Sequence, residues 1–418
     1  MIRHLDLSAG SPGGRATTAV IAVATILVIG GVFAAGLGLL GLPLRYPLAL
    51  LLALITVLVL LQGPATAGRR TLLVAVPVWT GAVAVYCAIL SPLAPSDNDT
   101  LFRYALLYPL GALTGAVMAS SRHRPWLGRA FVGWATVFAV LAVVEFVFFV
   151  HLVPGPGHPG LVRDGLLRAV VAAEHPLVLA ALLAMALPFL WALPLGLPVR
   201  VVVSAVLVSG ILATGSRGAL VLVVLAAVIA LVVHRWPATR RGRALVRVAV
   251  AVGVATAAVV ALAAAGFTSW NVLTSDDPET ASLQYRVVLY QKVIESLGTH
   301  PFGWGLGGLP AGIFVVPSPF GDLDLSTTID SEVALIAFDA GIIGVVAFAA
   351  LVGYLVSRWV LASDAGQAAF VAVVAGGYVA IHAWTGLGLA VALVLGAALA
   401  ADRVRSTDRT DASADPNP

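Results

Sequence analysis

The sequence predicts an all-α, polytopic integral membrane protein of about twelve helices. Three observations carry this. The 418-residue chain is 60% hydrophobic and only 11% charged. Its mean hydropathy is +1.01. Apolar stretches about 20 residues long, the length needed to cross a bilayer as a helix, recur along most of it. A soluble domain of this size needs far more charge to cover its surface.

The expected spans, in order, are 17–40, 44–62, 71–90, 101–120, 128–152, 176–193, 199–214, 218–234, 247–266, 331–356, 366–382 and 385–401. The first could be mistaken for a secretory leader. However, TTAVIAVATILVIGGVFAAGLGLL is longer than the usual apolar leader core of roughly 7–15 residues, so an uncleaved first helix is expected. Orientation follows from the basic residues, which gather on the cytoplasmic side. With the N-terminus inside, seventeen of the 24 fall inside and seven outside: Arg45, Arg103, Arg163, Arg168, Arg217, Arg286 and Lys292. The run HRWPATRRGRALVR at 234–247 is the strongest inner anchor. Both termini are then cytoplasmic. Residues 1–16 form an inner N-terminal segment. Residues 17–401 form one transmembrane domain that includes an extracytoplasmic loop at 267–330, between helices nine and ten. Residues 402–418 form a polar tail expected to be disordered. The lone cysteine, Cys87, allows no intrachain disulfide and no thiolate metal cluster.

Two loops are long, and both fall outside. One is 153–175. The other, 267–330, carries Trp270, Tyr285, Tyr290, Phe302, Trp304 and Phe314, which is too aromatic for simple disorder. Within it TASLQYRVVLYQKVIESL (280–297) predicts an amphipathic helix whose apolar stripe is Leu283, Val287, Tyr290, Ile294 and Leu297. Arg286 borders that stripe, and Lys292 lies opposite. His300 opens the glycine-rich turn HPFGWGLGG and reads as structural before it reads as a substrate contact. No internal repeat and no matched pair of broken helices is visible, which argues against a secondary transporter.

Candidate chemistry gathers on the outer side. Arginine offers a planar, permanently charged fork that fits phosphate oxygens. Arg217 sits in the turn ATGSRGAL, between Gly215 and Gly218 at a helix N-terminus whose free N–H groups also favour an anion. Arg163 and Arg168 lie in the first long loop and Arg286 in the second. Asp330 and Glu332 stand where that second loop re-enters the membrane. Either can be a general base for a hydroxyl, and the alternative is a helix N-terminus with Asp330 at the cap and Glu332 as the acid of the first turn. Asp339, two turns deeper, reads as buried against another helix. Glu145 lies mid-span with no partner nameable from sequence, and His382 reads as a packed histidine.

With these residues in place the chain resembles the O-antigen ligase/polymerase superfamily of membrane glycosyltransferases. SRGAL (216–220), RVVLYQKVIESLGTHPFGWGLG (286–307) and DSEVALIAFDAGIIG (330–344) carry the resemblance, with RAVVAAEHPLVLAALLAMALP (168–188) as a weaker fourth match. It implies a lipid-linked oligosaccharide donor on undecaprenyl pyrophosphate and a glycan or glycolipid acceptor, with transfer at the outer face of the plasma membrane. No nucleotide sugar, cofactor, metal or nucleic-acid partner is implied, and membrane lipids surround the chain. Arg217, Arg286, Asp330 and Glu332 would be catalytic. Arg168, Arg163 and His300 would contact substrate. The family's ligases carry a histidine where this chain has Asp330, which favours a polymerase-like or other surface-glycan role. The alternatives are a flippase for the same lipid-linked glycan and a non-catalytic assembly partner.

Overall fold

A computed structural model describes residues 12–36, 45–61, 98–121, 123–153, 162–163, 166–216, 278–317, 322–327, 329–357, 363–375 and 384–412. The expected spans 71–90, 218–234 and 247–266 lie outside the described residues, as do Cys87, Arg217 and His382.

Helices occupy most of the described part of each remaining expected span. They are α1 (Pro12–Phe33), α2 (Arg45–Leu61), α3 (Asn98–Phe102), α4 (Tyr108–Ala119), α5 (Arg124–Phe148), α6 (Pro176–Ala192) and α7 (Leu197–Ala213). After them come α8 (Pro278–Thr299), α9 (Glu332–Ser357), α10 (Asp364–Ala375) and α11 (Thr385–Ala412). A π turn, Arg103–Leu107, joins α3 to α4. Four of the described helices are long and apolar enough to cross a membrane: Ala16–Phe33, Thr100–Ala119, Arg124–Phe148 and Glu332–Tyr354. Helix α11 runs beyond the expected end at 401 and into the segment read as a disordered tail. No glycine or proline interrupts DRVRSTDRTDA, so nothing local stops it. Two two-stranded hairpins stand among the helices, Val162–Arg163 with Leu166–Leu167 and Val315–Val316 with Leu323–Asp324.

Packing is of the membrane kind, in which small residues let backbones approach. A Cβ at Gly115 of α4 would collide with the Leu393 carbonyl of α11, and one at Gly396 of α11 with the Ala112 carbonyl of α4. Gly210 of α7 abuts Ala139 of α5 in the same manner. Helix α6 is apolar on every side and buried on every side, which makes it the central post. Outer helices turn Val20, Val23, Leu27, Leu50 and Val57 outward. Polar ties are few: Thr56 to Thr114 at 2.8 Å, and Trp134 Nε1 donating to the Ile26 carbonyl at 2.8 Å. At one end of the bundle Arg124 meets Asp364 at 2.6 Å, and Arg200 donates to the Leu193 carbonyl at 2.7 Å.

A second core lies outside the bundle. Val288, Leu289 and Val293 of α8 pack on Phe314, Val316 and Leu325 of the loop and on Ala334, Ala337 and Phe338 of α9. The expected helix is there, but its buried face centres on Leu289 and Val293. Ile294, placed in the apolar stripe by spacing alone, is 49% exposed. The hairpin and Phe338 decide which side of α8 is covered, and periodicity cannot see them.

Helix α9 is broken at Gly341, which has φ 59° and ψ −144°. The glycine-rich turn fills the break. Ile342 N–H donates to the Pro301 carbonyl at 2.9 Å, Trp304 N–H to the Phe338 carbonyl at 2.7 Å, and Gly305 N–H to the Asp339 carbonyl at 3.1 Å. Asp339 Oδ1 accepts from Gly307 N–H at 3.1 Å. Gly303 has φ +81°, and any Cβ there would meet the Asp339 backbone.

Candidate functional site

The end of the bundle opposite Arg124 is built around Glu145. Its carboxylate is fully buried and accepts three backbone N–H groups: Leu152 at 2.8 Å, Val170 at 2.8 Å and Val171 at 2.9 Å. The partners that the sequence could not name are therefore the peptide groups of Leu152, just before the first long loop, and of Val170 and Val171 within it. They hold Val171 at φ 56°, a conformation that a β-branched residue adopts only when its surroundings over-determine it.

The loop so held carries Arg168. Its Nε donates to the Thr214 carbonyl at 3.0 Å, and the adjacent Ala169 N–H donates to the Ala213 carbonyl at 3.0 Å. The cation thus sits on the carbonyl end of α7, where the helix dipole favours it. Gly215 has φ +66°, and a Cβ at this position would lie 3.4 Å from Arg168 Nε. Arg168 is packed against the turn that leads into Arg217. Arg163 lies in the first hairpin, paired with Leu166.

Glu174 and His175 follow. Glu174 accepts from Thr385 N–H at 3.0 Å and Gly386 N–H at 2.9 Å, closing the N-terminus of α11. Burial pushes its carboxyl above the usual range, against those two N–H groups and the charge of Arg103. Arg103, in the π turn, is also within electrostatic reach of Asp339 in α9, so it joins this end of the bundle to the second core. His175 caps α6, its Nδ1 accepting from Leu177 N–H at 3.2 Å, and its ring stacks on Trp384 with centroids 5.4 Å apart. Burial, then the nearby Arg168 charge, lowers its pKa to about 4. Sequence reading passed over both residues. The available signal was the His-Pro pair, a cap followed by proline at the first helical position.

The second group of candidates meets where α8 faces the start of α9. Arg286 Nη2 donates to Asp330 Oδ2 at 3.1 Å. Asp330 Oδ1 is buried and has no hydrogen-bond partner among the described residues. Burial raises the Asp330 pKa, and Arg286 opposes the shift. The helix cap is Ser331, whose Oγ accepts from Ala334 N–H at 3.4 Å and shares a 2.9 Å bond with the Tyr290 hydroxyl. Asp330 is therefore not the cap, and its carboxylate faces Arg286. Glu332, one residue past the cap, is fully buried.

His300 stands apart from this pair. It lies fourteen residues beyond Arg286, about 21 Å along α8 at helical rise, and stacks on Trp304 with centroids 3.7 Å apart. Lys292 pairs with Glu295 at 2.7 Å. Among the described residues, no three His, Cys, Asp or Glu side chains gather closely enough to hold a metal ion.

Helices that are apolar around most of their girth point to a multi-pass helical membrane protein. Residues 202–349 match the family model of the O-antigen ligases, the family that the sequence motifs resemble. The matched stretch contains Arg217, Arg286, His300, Asp330 and Glu332, whereas Arg163 and Arg168 precede it. No curated protein matches the chain.

Proposed function

We propose that the protein transfers a glycan from an undecaprenyl-pyrophosphate-linked donor to an acceptor hydroxyl at the outer face of the plasma membrane. The observation that carries this reading is the Arg286–Asp330 pair, which lies within the stretch matched to the O-antigen ligases. A pyrophosphate is a stronger claimant on an arginine fork than a single carboxylate. When the donor arrives, Arg286 turns to its phosphate oxygens, together with Arg217 and Arg168, and Asp330 is released. The acceptor hydroxyl then gives its proton to the Asp330 carboxylate as its oxygen attacks the anomeric carbon. The bond from that carbon to the pyrophosphate oxygen breaks. Undecaprenyl pyrophosphate leaves with the electron pair, its charge held by the arginines. Glu332 lies one residue away as the second carboxylate. The proposed chemistry uses no metal. Arg124, Arg129 and Arg200 mark the cytoplasmic end of the bundle under the positive-inside rule, which leaves the Arg168 end outside.

Asp330, standing where the family's ligases have histidine, favours polymerase over ligase. The test is purified protein in detergent with lipid-pyrophosphate-linked oligosaccharide from the same cells, resolved on a gel beside an Arg217→Ala control. A ladder of lengthened lipid-linked glycans, absent in the control, is expected. Transfer to an added acceptor without a ladder would mean ligase. A donor left unchanged under all conditions would overturn the enzyme reading and leave the flippase or assembly-partner role.

A further inference from the structure

We infer that His175 is a further donor-binding residue: its Nε2–H reaches a phosphate oxygen of the lipid pyrophosphate beside Arg168. This rests on the proposed function and deepens it. The geometry fixes the tautomer. Nδ1 accepts the Leu177 N–H at 3.2 Å, so in the neutral ring the proton is on Nε2. The ring makes no other hydrogen bond among the described residues. Its plane lies 20° from that of Trp384, and the Leu177 N–H on Nδ1 sets how the ring is turned within that plane. Burial and the Arg168 charge keep the ring neutral across the physiological range.

The same geometry excludes a different role. A histidine near the site could be supposed to replace the family's missing histidine base. To take a proton at Nε2, His175 would have to carry its existing proton on Nδ1, where the Leu177 N–H already points. It can donate from Nε2 but is poorly placed to accept there. Asp330 therefore keeps the base role, and His175 adds a neutral donor to the arginines.

The test separates the two ring nitrogens, using the full chain in detergent and undecaprenyl pyrophosphate as the probe. Asparagine reproduces the position of Nδ1, so His175→Asn keeps the cap but its amide stops short of Nε2. Glutamine reproduces the position of Nε2, so His175→Gln keeps the donor and weakens the cap. His175→Asn should melt as the wild type does, bind the probe about tenfold more weakly and show a raised KM for the lipid-linked donor with kcat within about twofold. His175→Gln should melt lower yet bind nearly as the wild type does. If His175→Asn binds undecaprenyl pyrophosphate as tightly as the wild type, the residue is a cap only and the inference is overturned. Loss of kcat alone, with KM unchanged, overturns it equally. If the wild type binds no undecaprenyl pyrophosphate, the proposed function falls first and takes this inference with it.

Discussion

Arg286 and Asp330 lie 44 positions apart and meet at 3.1 Å, which ties the amphipathic helix of the large loop to the start of the next membrane helix. The contact is polar but sheltered, with the two side chains 26% and 28% exposed. A pair of this kind gives more to geometry than to stability.

Asp330→Asn keeps the shape and removes the base. Turnover should fall by about 100-fold or more while undecaprenyl pyrophosphate binding is retained. Single-turnover kinetics beside a binding isotherm would check this. Retained turnover would shift the base role to Glu332.

The pH dependence of kcat/KM, which reports the free enzyme, follows from the same carboxyl. Burial holds its pKa above the usual aspartate range, and the Arg286 charge pulls it partly back. The ionised form is the active base, so kcat/KM should be lost as pH falls through this raised value. Removing the charge in Arg286→Gln lifts the pKa further. The acid limb of the residual activity should therefore move to higher pH. A limb that stays in place or moves down would show that another group controls it.

Glu145→Gln should destabilise the protein by about 2–4 kcal/mol, because the new amide faces backbone N–H groups that all need an acceptor. Thermal unfolding in detergent measures this. Cleavage within 149–171 should also become faster, since Val171 loses what holds its left-handed backbone.

Gly341→Ala places a Cβ against the Pro301 carbonyl, in a backbone region open to glycine alone. The backbone cost is about 1–3 kcal/mol, and the collision adds to it. The expected outcome is undocking of the turn at 301–308, read as protease sensitivity there. By contrast Asp364→Asn, which breaks the bond to a half-exposed Arg124, should change stability by less than about 1 kcal/mol.

The spans that fall among the described residues were legible because lipid demands long apolar runs, and no other constraint writes so plainly into sequence. The site was legible only in pieces. Arg286 and Asp330 were both named, but nothing in their spacing says that they touch. Asp330 was read as a possible cap from its position alone, and the Ala334 N–H, which points at Ser331, moves the cap one residue on. Glu145 was an isolated acid because its hydrogen-bond partners are peptide groups 7, 25 and 26 residues away, which carry no side-chain signature. His175 was passed over because histidine is not a common cap, and its stacking on Trp384 spans more than 200 residues.

Helices α6 and α7 have 17 residues each. At helical rise they are about 25 Å long, against a hydrocarbon slab of about 30 Å. A bilayer meeting such short posts thins locally to match them. Headgroups are drawn inward around the protein, and the phosphate of a long-chain lipid that approaches the Arg168 end descends with them.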